Sequence, residues 1–220
     1  SMLSKRIVGS LIVQDGTLVQ SRGFSSYLPI GSPEIAAEFL DRWGVDEIMM
    51  LDIGERRRSH VPDLALVSAL SKKIRVPLTV GGGIDSVETM LALIRGGADK
   101  CALNQAAVEN PAIITEAARI FGNQCVVVSI DVRCSEKGYE VYTDSGTRAT
   151  GKEPMTFAKE CVSRGAGEIL IRRIERDGSK KGYDTALVRL IADAVDVPLI
   201  AAGGCGTAEH VRRVFEEGHA

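Results

Sequence analysis

Residues 65–88, ALVSALSKKIRVPLTVGGGIDSVE, align without a gap on residues 186–209, ALVRLIADAVDVPLIAAGGCGTAE. The same offset sets Gly44 on Gly165, Glu47 on Glu168, and Pro77, Gly82 and Gly83 on Pro198, Gly203 and Gly204. A repeat this long duplicates several strand–helix units at once, unlike the short period of a solenoid. Two half-barrels related by a pseudo-twofold axis follow from it. A doubly wound open sheet is the rival architecture and gives no reason for such a repeat.

Short, β-rich apolar runs alternate with amphipathic stretches, the pattern of parallel βα units. Strands are expected over 5–13, 47–53, 77–82, 100–104, 125–132, 168–174 and 198–204. Helices are expected near 33–43, 61–74, 86–96, 110–121, 154–164, 184–194 and 207–217. Pro33, Pro62, Pro111 and Pro154 suit first helical turns, and Gly44, Gly97, Gly122 and Gly165 fall where helices should stop. Residues 134–150 read as a hairpin excursion, with turns at Ser135–Gly138 and Ser145–Gly146. The expected fold is one α/β domain over residues 1–220, a (βα)8 TIM barrel. Its eighth unit is absent from this stretch, since a full barrel takes about 250 residues.

Composition excludes some functions. The net charge is −2 and the pI about 6.0, so nothing favours nucleic acid or an anionic membrane as partner. No apolar run approaches the roughly 20 residues of a membrane span, and the opening residues lack a signal-peptide layout. A cytoplasmic location is expected. The five cysteines (Cys101, Cys125, Cys134, Cys161 and Cys205) form no CxxC pair and do not cluster with the three histidines. Neither a metal nor a cofactor is expected.

In such barrels chemistry collects at the carboxyl ends of the strands. Val80–Ile84 ends the third strand with Gly82 and Gly83, and Ala202–Gly206 ends the seventh with Gly203 and Gly204. Glycines there let a phosphate approach backbone N–H groups ahead of a helix N-terminus. One such loop could be only a tight turn. Two at matching positions of the repeat point to a ligand with two phosphates. Asn104, ending the fourth strand, and the Asp177–Gly178 turn after the sixth are placed to assist.

These residues carry a resemblance to the cyclase subunit of imidazole glycerol phosphate synthase, the HisF family. It rests on KRI near the start, DE…LDI, PLTVGGGI, GADK…N…AVENP, VVVSID, and RGAGEIL…RDGSK…GYD. The resemblance implies a glutaminase partner at the bottom of the barrel. It also implies ammonia passing through the barrel core to a bisphosphorylated substrate at the top. Arg6, Glu47, Lys100 and Glu168 match the family's bottom gate, and Asp99 matches a position that meets the glutaminase. A structural plug of ion pairs is the plainer reading of the four charges.

The family's cyclase uses two aspartates, ending the first and fifth strands, as general acid and base. The fifth strand keeps Asp131, but the first has Ile12, which cannot transfer a proton. Asp131 is the expected catalytic carboxylate, and Asp52, ending the second strand, a candidate substrate ligand. Arg172 stands where the family has a small hydroxyl residue, Gln20 where a basic residue is expected, and Gln105 where a threonine is expected. Arg172 brings a cation toward the substrate. These departures resemble a HisF-like branch that, with its own glutaminase-like partner, helps convert a sugar acetamido group to an acetamidino group for surface polysaccharide. Two alternatives are a catalytically silent barrel that activates a glutaminase, and a sugar-phosphate isomerase of the sister family.

Overall fold

The computed structural model describes residues 6–24, 26–54, 61–202 and 208–220. Seven strands run parallel: β1 (Val8–Gln14), β4 (Glu47–Asp52), β5 (Leu78–Gly81), β6 (Lys100–Leu103), β7 (Val126–Ser135), β10 (Glu168–Arg173) and β11 (Leu199–Ala202). They pair in chain order into one curled sheet of the barrel type. Between them lie α1 (Pro33–Trp43), α2 (Leu64–Lys73), α3 (Val87–Arg95), α4 (Gln105–Glu109), α5 (Ala112–Phe121), α6 (Pro154–Arg164) and α7 (Thr185–Ala192). The last helix, α8 (Ala208–Glu216), follows β11. Two excursions are antiparallel: β2 (Thr17–Arg22) with β3 (Ser26–Gly31) after β1, and β8 (Gly138–Thr143) with β9 (Arg148–Ala149) after β7.

The repeat seen in the residues recurs in the geometry. Pro33 opens α1 and Pro154 opens α6, and Gly44 and Gly165 cap their C-termini with positive φ. Asp63 and Asp184 are the side-chain N-caps of α2 and α7, each accepting from the third backbone N–H onward. The excursions sit at matching places as well, each following the first strand of its half.

Alternation along the strands sorts side chains to two faces of the sheet. Leu11, Val13, Ile48, Met50, Leu78, Val80, Cys101, Leu103, Val128, Ile130, Ile169 and Ile171 form the core under the helices. Each fully buried aliphatic chain there contributes about 1.5–3 kcal/mol. Burial pushes the Cys101 thiol up to about 12, so it packs as a small apolar residue. The opposite face carries a second cluster of Met49, Ala102, Val127 and Leu170, with Val8, Leu51, Ile200 and Ala202 against it. This face lines the axis. Among the described residues β11 and β1 do not pair, and a cavity of about 910 Å³ lies at the Arg6 end of the sheet, lined by Arg6, Val8, Glu168, Leu199, Ile200 and Phe215.

Three local expectations need correction. Pro62 precedes α2 and its cap Asp63 rather than sitting in the first turn, and Pro111 is itself the N-cap of α5. The helix expected over 110–121 is preceded by a separate short one, α4, with Asn110 between them. The segment after β1, where no strand is expected from the sequence, is a hairpin: Val19 faces Pro29 and Gln20 faces Leu28 in its register. The helix expectations at 33–43 and 154–164 match the observed bounds.

Candidate functional site

Every second residue of the parallel strands faces the axis, and these residues stack in layers along it. At the N-terminal end Glu47 and Glu168 are buried beside Lys100 and Arg6. Arg6 donates to Glu47 Oε1 at 2.6 Å and to Glu168 Oε1 at 2.5 Å, and Lys100 Nζ donates to Glu47 Oε1 at 2.9 Å. Glu168 Oε2 stands 3.5 Å from Lys100 Nζ but off the line of a hydrogen bond, and Glu47 Oε2 has no hydrogen-bond partner among the described residues. Two carboxylates thus share two cations around one mouth. The exposed Asp99 lies beside them, its Oδ2 accepting from the Leu78 N–H at 2.8 Å.

Beyond the ring the axis-facing side carries no charge among the described residues: Met49, Ala102, Val127 and Leu170 are apolar, and Ser10, Thr79 and Ser129 share their face by strand register. Above these, at the C-terminal end, charged groups return. Asp131 on β7 and Arg172 on β10 are register partners, both buried, with Arg172 Nε 3.3 Å from Asp131 Oδ1. Asn104, at the end of β6, donates through Nδ2 to Asp131 Oδ2 at 3.1 Å and to the Ser129 carbonyl at 3.0 Å. Burial holds the Asp131 carboxyl above its usual range, while Arg172 and Asn104 pull it back down. Ile12 lies on β1 on the same face as Val8, opposite Leu51. It brings no polar atom to this layer.

The glycine corner after β5 has the geometry of a close approach. Gly82 and Gly83 both have positive φ, and a Cβ on Gly82 would stand 1.9 Å from the carbonyl oxygen of Asp52. Asp52 itself belongs to the helix-facing side of β4, by alternation with Met49 and Leu51, and not to the axis. Its Oδ1 accepts from the Gly54 N–H at 3.2 Å and its Oδ2 from the Asp63 N–H at 3.0 Å. Gly203 and Gly204, the expected second corner, lie outside the described residues.

Asp177 and Gly178 join the first excursion to the loop after β10. Asp177 Oδ2 accepts from Ser21 Oγ at 2.5 Å, and its carbonyl accepts from the Gly23 N–H at 3.0 Å. Gly178 takes a left-handed φ of 67° that closes the turn. The β2–β3 hairpin therefore closes over the same end of the barrel as Asp131. One contact there escaped sequence reasoning: the Phe24 ring lies under Arg172, the guanidinium carbon 4.5 Å from the ring centre. An aromatic in a loop carries no signal of its own for such a contact.

Gln105 is used locally, donating to Glu109 Oε1 at 2.8 Å. Among the described residues no His, Cys, Asp or Glu side chains gather as a metal ion would need, and no helix is long and apolar enough to cross a membrane.

The family model described as "Histidine biosynthesis protein" matches residues 6–220. The imidazole glycerol phosphate synthase subunit HisF of Myxococcus xanthus is 42% identical over 219 residues, spanning 100% of this chain and 87% of the relative. The HisF subunit of Bacillus subtilis is 42% identical over 221 residues, spanning 100% of this chain and 88% of the relative.

Proposed function

Because this chain belongs to the histidine-biosynthesis family that includes the HisF subunits of imidazole glycerol phosphate synthase, we propose that it is the synthase subunit of an amidotransferase pair. It takes ammonia from a glutaminase partner and joins it to a phosphorylated substrate at the C-terminal end of the barrel. One observation carries this reading: the inner face runs from a charged ring, through uncharged apolar and hydroxyl side chains, to a carboxylate. Met49, Ala102, Val127 and Leu170 disfavour an ion on the axis while offering no barrier of charge to neutral ammonia. Arg6, Glu47, Lys100 and Glu168 form the entry gate, and Asp99 meets the partner. The Gly82–Gly83 corner, with Gly203–Gly204, cradles two phosphates, and Asn104, Asp177 and Gly178 border the pocket.

Asp131 is the catalytic acid–base group. Joining ammonia to a carbonyl carbon requires a proton to leave nitrogen and another to reach the departing oxygen. Asp131, held high by burial, can take the first and return it. Arg172 orients Asp131 and offers its remaining N–H groups to an anionic or hydroxylated substrate. Asp52 supports the corner at Gly82 from behind rather than touching the substrate.

Ile12 and Arg172 favour a second reading of the acceptor. A ring-forming cyclase of this family works with two carboxylates, and here the first strand supplies none. The acetamidino-forming branch, acting on a sugar for surface polysaccharide, accounts for both departures. Purified barrel with ammonium salts and the bisphosphate substrate of the histidine pathway separates them. Imidazole product identifies the histidine-pathway cyclase. No product, with a partner glutaminase still activated, excludes the histidine-pathway cyclase and leaves the sugar branch beside a silent barrel that only activates its partner. Loss of both activities would remove the synthase reading altogether.

A further inference from the structure

Phe24 is buried although it sits in a surface hairpin between β2 and β3, and its backbone is left-handed, with φ of 61°. A bulky residue seldom adopts that conformation, and where it persists the surroundings hold it there. Gly23, just before it, is pinned through its N–H to the Asp177 carbonyl, and Ser21 is pinned to the Asp177 side chain. The ring lies 4.5 Å from the Arg172 guanidinium carbon, inside the range of a cation–π contact. The second excursion also approaches the ring: a Cβ on Gly146 would lie 3.3 Å from Phe24 Cδ2 and 3.1 Å from Ile174 Cδ1. Gly146 is itself fixed by Arg133, whose Nε donates to its carbonyl at 3.0 Å.

The two hairpins that follow the first strand of each half-barrel thus meet at one aromatic ring, and that ring covers the cation paired to Asp131. We propose that Phe24 is a positioning residue: stacked on Arg172, it holds the guanidinium against Asp131 and makes the carboxylate's surroundings depend on how the β2–β3 hairpin is seated. A planar guanidinium suits this role, because it can stack on a ring while donating in its own plane to a carboxylate. With the hairpin seated, Arg172 is committed to Asp131. With the hairpin lifted, Arg172 loses its stacking face and Asp131 loses its cation.

Among the described residues the groups facing Asp131 are few: Arg172 from β10, Asn104 from the end of β6, Tyr142 as its register partner on β8, and Asp177 from the loop after β10. Arg172 is the one cation among them, so its release moves the Asp131 titration upward. The test needs no substrate. In the carbon-13-labelled chain the Asp131 carboxyl carbon, identified by the resonance that Asp131→Asn removes, is followed against pH. Phe24→Leu should raise its midpoint by about one pH unit. Phe24→Tyr, which keeps a ring face, should restore the wild-type midpoint. Arg172→Met should raise the midpoint at least as far, and Phe24→Leu added to it should raise it no further. An unmoved midpoint in Phe24→Leu, or shifts that add in the double variant, would overturn the proposal. If Phe24→Leu does not fold, Phe24→Met carries the same two outcomes.

Discussion

Arg172 and Asp131 stand opposite each other on neighbouring strands, β10 and β7, and form an ion pair with Nε 3.3 Å from Oδ1. Asn104 occupies the other carboxylate oxygen at 3.1 Å. Both oxygens of this carboxylate are therefore engaged before any substrate arrives. Breaking such a buried pair costs more than forming it returns, because the partner left behind is an uncompensated charge. That asymmetry shapes what substitution at this site should do.

Asp131 sets a pH dependence of stability. Burial holds it above the usual carboxylate range in the fold, even with Arg172 and Asn104 pulling down. The folded state then binds more protons than the unfolded one, so this group's contribution is full below the unfolded pKa and declines as pH rises through the folded value. In Asp131→Asn the unpaired Arg172 imposes a cost that does not change with pH over this range. Urea midpoints compared from about pH 4 upward should show the wild-type advantage shrinking as pH rises. An advantage that grows with pH would reverse the assignment.

Gly82→Ala should be among the costliest single-atom additions in the chain. Its φ is +113°, and the new Cβ would lie 1.9 Å from a backbone oxygen, that of Asp52, which no rotamer change can move. A loss of about 3 kcal/mol or more is expected. Gly138→Ala is the control, since Gly138 also has positive φ (+101°) but nothing within 4 Å. Strain alone should cost it about 1 kcal/mol. Equal losses for the two in urea unfolding would show that the approach to Asp52 does not matter.

How much of this was legible beforehand depends on whether the signal was local. The half-barrel repeat, the proline and glycine boundaries of α1 and α6, and the inward carboxylate at Asp131 all follow from periodicity and turn chemistry, which act within a few residues. The HisF resemblance was legible for the same reason, carried by motifs such as PLTVGGGI that sit at strand ends. The β2–β3 hairpin was not legible, because its apolar alternation is weak and its pairing closes through Val19, Pro29 and an irregular register. Nor was the contact of Phe24 with Arg172, whose partners lie far apart in sequence and meet only when two excursions fold over one strand end. Asp52 looked like a ligand from its place at a strand end, but strand alternation turns it toward the helices, where it accepts from Gly54 and Asp63.

The charged ring makes a prediction independent of any substrate. Lys100→Met removes one of two cations serving Glu47 and Glu168, whose side chains are 7% and 5% exposed. Arg6 then faces two buried carboxylates alone, and a loss of about 3 kcal/mol is expected. Adding Glu168→Gln to Lys100→Met should recover part of that loss, because charge balance with Arg6 returns. Thermal or urea unfolding of the single and double variants decides it. A double variant less stable than Lys100→Met would mean that the ring is held by packing rather than by charge.

The last prediction concerns Ile12, the inner-face residue of β1 that pairs with Leu51 where a second carboxylate would serve a ring-forming cyclase. If the missing carboxylate is what separates this chain from that chemistry, Ile12→Asp should supply it. With ammonium salts and the histidine-pathway bisphosphate, imidazole formation should rise by about a hundredfold over wild type, the usual return of one positioned acid–base group. Arg172→Ser in the same chain should increase it further by freeing Asp131, although with a loss of stability from the broken ion pair. If Ile12→Asp folds, retains Asp131 and still forms no imidazole, the barrier lies in the acceptor pocket itself. The β2–β3 hairpin and Arg172 would then be the elements that exclude the bisphosphate, and binding of that substrate to wild type, measured by calorimetry, should be undetectable.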